Sequence, residues 1–240
     1  MKKQYFLIVD TETTQDQLVA DFGAIVVDRK GNIVAQCAVM VNGIFTNPTD
    51  HPLFFDSKAP ANALWSKANS DQRYSMYSRM IANGTRMVAS VASINRWLDK
   101  VAAQYNPILT AYNLSFDLGK CANTGIDLTM FDRSFCLWSA AYTQWAHTKD
   151  YRNAVLAMHA FNAPTEFGNM TYKTNAETMT RFVVGNFSLE DEPHTALEDA
   201  VYYELPILKA LLKKRSAKWL LNETRPYNWR EVQVRDWFGA

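Results

Sequence analysis

The stretch Tyr5-Phe6-Leu7-Ile8-Val9-Asp10-Thr11-Glu12-Thr13 runs five apolar residues straight into two acids spaced i, i+2. An apolar run of that length fits a strand covered on both faces. Alternate side chains of a strand share a face, so Asp10 and Glu12 project together from its end. Two neighbouring acids repel each other and lose solvation, a balance that a divalent cation between them reverses. An isolated Asp-x-Glu is too short a pattern to assign by itself, so its meaning rests on partners elsewhere in the chain.

The 240 residues suit one generous domain, or a domain with an appendage. A hydrophobic content of 48% with 13% aromatics describes a globular chain, which sets disorder aside. No stretch has the apolar length of a membrane helix, and the Met-Lys-Lys start leads into too short an apolar run for a signal peptide. Cys37, Cys121 and Cys136 lack metal-ligand spacing. The expectation is inert thiols in a reducing, cytoplasmic setting, without membrane attachment. The net charge of +1 hides an asymmetry: Lys209–Ala240 carries +5 and the remainder −4. A basic flank beside an acidic site suits a polyanionic substrate.

Ala20–Val27 and Ile33–Val41 read as an antiparallel hairpin across Asp28-Arg29-Lys30-Gly31-Asn32. Residues 42–86 lose periodicity, and short helices and loops are expected there. Val88, Val91, Ile94, Leu98 and Val101 make an apolar stripe that predicts a helix over Val88–Gln104. Ile108–Tyr112 reads as a short buried strand, and Asn113 as the cap of a helix that reaches Thr124 and stops at Gly125. Met130–Trp138 is a further strand candidate, followed by helical pieces near 140–146 and 152–161. Thr174 or Asn175 caps a helix running to Val184, and Thr195–Lys214 forms a long one whose Thr195-x-x-Glu198 start fits a capping box. Alternation of this kind means α/β with a mixed sheet.

Two further acids fall where strands and helices meet. Asp117 lies in the first turn of the helix capped by Asn113, at a carboxyl strand end, where open α/β sheets place ligands. With Thr195 as N-cap, His194 and Asp199 occupy the N′ and N4 positions that a staple geometry brings together. Within one helix their directions would diverge by about 140°; with His194 in the loop, both can face one site.

Asp10-Thr11-Glu12-Thr13, Ala111-Tyr112-Asn113-Leu114-Ser115-Phe116-Asp117 and His194-Thr195-Ala196-Leu197-Glu198-Asp199-Ala200 resemble, in order and spacing, the three motifs of the DEDDh, or DnaQ-like, 3′–5′ exonucleases. The related branch of that family has Tyr four residues before the last Asp; Thr195 stands there, and His194 matches the His branch. The resemblance implies a ribonuclease H-like fold, a five-stranded mixed sheet with its first three strands antiparallel. It implies Asp10, Glu12, Asp117 and Asp199 as ligands of two Mg²⁺ or Mn²⁺ ions, Asp10 bridging both and Glu12 binding one, with His194 as general base. Four hard oxygen donors suit those ions better than Zn²⁺, and two ions suit in-line displacement at a phosphodiester. The product would be a nucleoside 5′-monophosphate.

Thr11 and Thr13 either contact the 3′ nucleotide or satisfy strand-end backbone, and Asn113 joins them as a substrate-binding candidate. Phe116 adjoins a helix start and reads as a packing residue. The expected layout is an exonuclease domain over 1–215, with insertions near 42–86 and 139–172, and a basic, aromatic extension over 216–240 that packs back on it. The mixture of Lys58, Lys67, Arg73, Arg79 and Arg86 with Trp65, Tyr74 and Tyr77 either grips single-stranded nucleic acid or fills a helical subdomain's own core. DNA and RNA fit equally. A proofreading subunit with a polymerase or other replication partner, and a catalytically dead nucleic-acid adaptor, are the alternative readings. The presence of all five chemical residues speaks against the adaptor.

Overall fold

In the computed structural model, residues 3–166 and 168–234 are described. The apolar opening run becomes strand β1, Tyr5–Thr13, which pairs antiparallel with β2, Val19–Asp28; β2 pairs antiparallel with β3, Ile33–Val41. The hairpin turn between β2 and β3 closes on Asp28, whose carboxylate accepts the backbone N–H groups of Lys30 and Asn32 at 2.8 and 3.0 Å. Gly31 takes the left-handed φ of +81° that this turn demands.

The segment after β3 departs from the expected short pieces. It contains α1, Lys67–Ala82, a helix of 16 residues started by Ser66, whose side chain accepts the N–H of Asn69. Only Ser70 and Tyr77 of α1 are buried, so the helix presents no apolar stripe for periodicity to detect. Arg86, grouped with this basic segment, is itself buried. Next, Met87–Ala89 forms an edge strand, β4, parallel to β3. Val88 therefore belongs to the sheet, and the predicted helix begins later, as α2, Val91–Tyr105, behind the N-cap of Ser90.

β5, Ile108–Ala111, lies parallel to β1 on its other side, and α3, Leu114–Thr124, follows and ends at Gly125 with φ +82°. The expected strand over Met130–Trp138 shrinks to β6, Ser134–Cys136, because helix α4, Leu137–Ala141, has already begun. A π turn over Tyr142–Ala146 leads toward α5, Lys149–Met158. Helix α6, Ala176–Val184, has the predicted limits, with Asn175 accepting the N–H of Thr178 and Gly185 closing the end.

The last long helix is not uniform. It runs as α7, Ala196–Asp199, then a widened π turn over Ala200–Glu204, then α8, Leu205–Lys214. The irregularity sits just ahead of Pro206, which has no N–H with which to continue the ladder. Helix α9, Ala217–Asn222, and a 3₁₀ turn at Trp229–Val232 complete the described chain. Leu220, Val232 and Val234 are buried in the main core, whereas residues 235–240 of the basic, aromatic extension lie outside the described residues.

The sheet order is β4-β3-β2-β1-β5-β6. The fold is thus α/β, a mixed sheet flanked by helices, its first three strands antiparallel. It has six strands where five were expected, the additional one being β4. Period-two alternation divides the core: Phe6, Ile8, Ile25 and Val27 face α4, α6 and α8, while Leu7, Val9, Phe22 and Val26 face α2 and α3. Asp10 and Glu12 continue the first of these faces past the apolar run, so the sheet's own alternation aims both acids toward α7.

Candidate active site

Asp10, Glu12, Asp117, His194 and Asp199 line one cavity of about 380 Å³ at the carboxyl ends of β1 and β5, together with Thr11, Thr13 and Asn113. All eight residues singled out in the sequence are brought together. The contact that allows it comes from a glycine. Gly23 on β2 lies opposite Asp10 in the register, and a Cβ there would sit 2.2 Å from the backbone carbon of Ala196. Only a residue without a side chain lets the start of α7 press this closely against the sheet. Sequence reading passed over Gly23, because a glycine within a strand declares a close approach but not the partner.

Two further backbone positions aim the site. Asn113 occupies the N-cap of α3, but with φ +81° and without a side-chain bond to the helix, so it does not cap in the expected way; its side-chain oxygen accepts instead from Ser115 Oγ at 3.2 Å. Asn tolerates the left-handed region, and the resulting turn swings Asp117 inward, where Thr11 Oγ1 donates to its Oδ1 at 2.8 Å. His194 is likewise left-handed, φ +55°, and its carbonyl accepts from the Tyr77 hydroxyl at 3.2 Å. Thr195 is the N-cap of α7, yet the capping box forms differently from expectation: its hydroxyl donates to the Glu198 carboxylate, and the N–H of Ala196 goes to Asp21.

Burial dominates the electrostatics. Asp199 is pushed up to about 10 by burial and then by the charges of Glu192 and Glu12, and Asp117 to about 7 by burial working against its bond from Thr11. The Asp10 carboxyl is held well above its usual range by burial and then by Glu204; Glu12 is raised by burial despite Arg73. His194 moves down to about 4 through burial and the nearby Arg73 cation, so its imidazole is neutral at pH 7.

Glu204 is a fifth acid here, itself buried, that the motifs did not signal. It follows Asp199 by five residues, a spacing that an α-helix would splay but that the i→i+5 pattern of the π turn stacks. Its Oε1 accepts the N–H of Tyr112 at 3.1 Å. Its Oε2, Asp10 Oδ2 and Asp199 Oδ1 are all buried without a hydrogen-bond partner among the described residues. Ligand atoms of Glu12, His194 and Asp199 lie within 4.8 Å of one another, and His194 Nδ1 is 4.0 Å from Glu12 Oε1. Orphaned carboxylate oxygens next to this group of three possible ligands fit a bound cation, because buried oxygens otherwise take partners.

The outer wall comes from the segment between β3 and β4. The Trp65 ring packs on His194 at 5.0 Å, Phe54 meets Trp65 edge-on at 5.6 Å, and the Arg73 guanidinium covers Trp65 at 4.5 Å while donating to the Phe54 carbonyl at 2.7 Å. Trp65 therefore belongs to the site, whereas Tyr74 and Tyr77 pack on Phe45 in a small core of their own. Arg86 is tied to Glu198 and Asp21, so it is not a nucleic-acid contact. Phe116 also departs from expectation: it is 42% exposed on the cavity rim, under the Lys120 ammonium. Glu192, raised to about 7 by burial and then by Glu177, completes the wall. His51, His147 and His159 lie elsewhere, the first two beside Asp16 and Glu231 and the third at the end of α5.

No protein-family model and no curated protein matches the chain. Among solved structures, it is similar to Escherichia coli Exonuclease I in complex with a 5cy-dT13 oligonucleotide, at 13% identity and a TM-score of 0.45. The match covers 88% of this chain and 41% of that one, so the chain spans about two fifths of the length of the structure it matches. Among the described residues, no helix is long and apolar enough to cross a membrane.

Proposed function

We propose that the protein is a metal-dependent 3′–5′ exonuclease, hydrolysing phosphodiester bonds from the 3′ end of DNA or RNA and releasing nucleoside 5′-monophosphates. The observation that carries this reading is the meeting of Asp10, Glu12, Asp117, His194 and Asp199 in one cavity, with buried oxygens of Asp10 and Asp199 lacking a hydrogen-bond partner among the described residues. Asp10, Glu12, Asp117 and Asp199 would hold two Mg²⁺ or Mn²⁺ ions, which when bound supply the positive charge that offsets the scissile phosphate and polarises the attacking water.

The remaining chemistry belongs to the chain. His194, neutral at pH 7, takes the proton of the attacking water. Its orientation is held by the ring of Trp65 on one side and by the Tyr77 bond to its own carbonyl. Thr11 fixes the Asp117 carboxylate. Phe54, Trp65 and Phe116 offer apolar surface to the terminal nucleoside, and Thr13 and Asn113 line the same space. A 5′-labelled oligonucleotide, as DNA and as RNA, incubated with Mn²⁺ or Mg²⁺ should give a ladder shortening from the 3′ end, abolished by EDTA. Absence of shortening on either polymer by the purified protein would reject the reading.

A further inference from the structure

A second cavity, of about 340 Å³, adjoins the acidic one, and Tyr112 and Asn113 belong to both. Its far side is built by Trp138 in α4, Lys173 and Asn175 ahead of α6, and Tyr227 beyond α9. The rings form a ladder: Tyr112 and Trp138 have centroids 6.3 Å apart at 21°, and Trp138 and Tyr227 are 4.6 Å apart at 27°. Two bonds hold it in place. Trp138 Nε1 donates to Thr174 Oγ1 at 2.9 Å, and the Tyr112 hydroxyl donates to the Thr174 carbonyl.

The polar groups of this cavity are available for a ligand. The side-chain oxygens of Asn113 and Asn175 accept from Ser115 and from the Thr178 N–H, but their amide donors have no protein partner among the described residues. Lys173 is exposed and has no carboxylate partner among the described residues. Aromatic faces, amide donors and one cation are what a base and its phosphate require, and stacking on rings tolerates any base. The shared wall at Tyr112–Asn113 makes the natural occupant the next unit of a strand whose end lies in the acidic cavity.

We infer that this cavity is an upstream nucleotide subsite: it binds single-stranded nucleic acid on the 5′ side of the 3′-terminal nucleotide, with a base against the Tyr112–Trp138–Tyr227 ladder and a phosphate at Lys173. The inference rests on the proposed 3′-end chemistry for the strand's direction, but not for its binding. The test is binding of 5′-fluorescein-labelled dT8 and rU8 to the full chain in EDTA, followed by anisotropy, with Tyr227→Leu and the exposed charge reversal Lys173→Glu as variants. Lys173→Glu remains informative if loss of the Tyr227 ring disturbs folding.

The expected result is an affinity about tenfold lower in each variant for whichever polymer the parent binds. A parallel arm compares hydrolysis of dT8 with that of the p-nitrophenyl ester of thymidine 5′-monophosphate, which spans the acidic cavity alone. The preference for dT8 should fall about tenfold in kcat/KM. Unchanged affinity in Lys173→Glu, or a parent that binds neither oligonucleotide, would overturn the subsite. A parent that binds but hydrolyses nothing would overturn the exonuclease reading and leave the subsite standing.

Discussion

Helix α7 divides two acidic clusters, one taking its Glu198 and the other its Asp199. On one side Glu198 pairs with Arg86, whose Nη1 lies 3.2 Å from its Oε1, and the Arg86 Nε faces Asp21 Oδ1 at 3.6 Å. On the other side Asp199 joins Asp10, Glu12, Asp117 and Glu204; Arg73 acts on Glu12 from the outer wall, but among the described residues no guanidinium or ammonium forms an ion pair with any of the five. Asp21 and Arg86 are as deeply buried as Asp199 and Glu204, so burial does not distinguish the clusters. The first contains its own cation and is a structural clasp between β2, α7 and the start of β4. Asp21 Oδ1 and Arg86 Nε also lack hydrogen bonds but face each other as opposite charges, whereas Asp10 Oδ2, Asp199 Oδ1 and Glu204 Oε2 have neither a hydrogen bond nor an ion pair among the described residues. The two clusters meet the same desolvation problem differently: one neutralises its acids from within, and the other leaves its acids to carry raised pKa values.

The largest effects should fall on opposite observables. Asp199→Asn removes a ligand charge while keeping the shape, and should lower cleavage at least about a thousandfold. Its thermal stability without metal should not fall, since a buried carboxyl crowded by like charges has been replaced by a neutral amide. Denaturation scans in EDTA beside single-turnover cleavage measure both, and a clear loss of stability would mean that Asp199 is structural. Arg86→Met should do the reverse. Stranding Asp21 and Glu198 in the interior should cost about 3–5 kcal/mol in urea titrations, and a loss below about 1 kcal/mol would mean that the clasp does not hold β2 to α7.

The two clusters also differed in how readily the sequence disclosed them. Asp10, Glu12, Asp117, His194 and Asp199 were visible because a strand alternates and a cap fixes the phase of a helix, rules that act over a few residues. The same local rules placed α6 between Asn175 and Gly185. Arg86 was not legible as a clasp, since its partners Asp21 and Glu198 come from distant parts of the chain and nothing local records the meeting. Glu204 escaped for a related reason: it reaches Asp10 only because the helix widens to a π turn, and an ideal helical wheel turns it away. Helix α1 was missed because Ser70 and Tyr77 are a poor imitation of an apolar stripe. Trp65 reads as one aromatic among several until folding sets it on His194.

The metal-free protein offers a third separation, through pH. Asp199 and Asp117 have folded-state values raised to about 10 and about 7, and Asp10 and Glu204 are raised as well. A carboxyl raised on folding contributes stability that is complete below its unfolded value near 4 and is lost as pH climbs toward its folded value. In EDTA, melting temperature should therefore fall between pH 5 and pH 8. Saturating Mn²⁺, which binds the ionised carboxylates, should oppose that fall and raise the midpoint at pH 8 by about 5–10 °C. Arg86→Met should keep this response although its baseline is lower, and Asp199→Asn should lose most of it. A midpoint insensitive to Mn²⁺ at pH 8 would remove the distinction between the clusters.

The smallest effect should come from Glu204→Gln, and it sharpens the boundary of the second cluster. Glu204 does not line the cavity; it stands behind Asp10, held through its Oε1 by the N–H of Tyr112. Glutamine can keep that acceptor and fill the same volume, so the Tyr112 backbone and the ladder beyond it should stay in place. What changes is one negative charge next to Asp10. A charge that supports ligands from behind is expected to alter metal affinity by about tenfold, and titration calorimetry with Mn²⁺ should find that weakening. The metal-free midpoint at pH 8 should rise at the same time, because Asp10 loses its strongest like-charged neighbour. Those two shifts have opposite signs, which a packing defect would not produce. If Glu204→Gln binds Mn²⁺ as the parent does, the cluster that takes the cation ends at the four motif carboxylates, and Glu204 serves only to tie α8 to the end of β5.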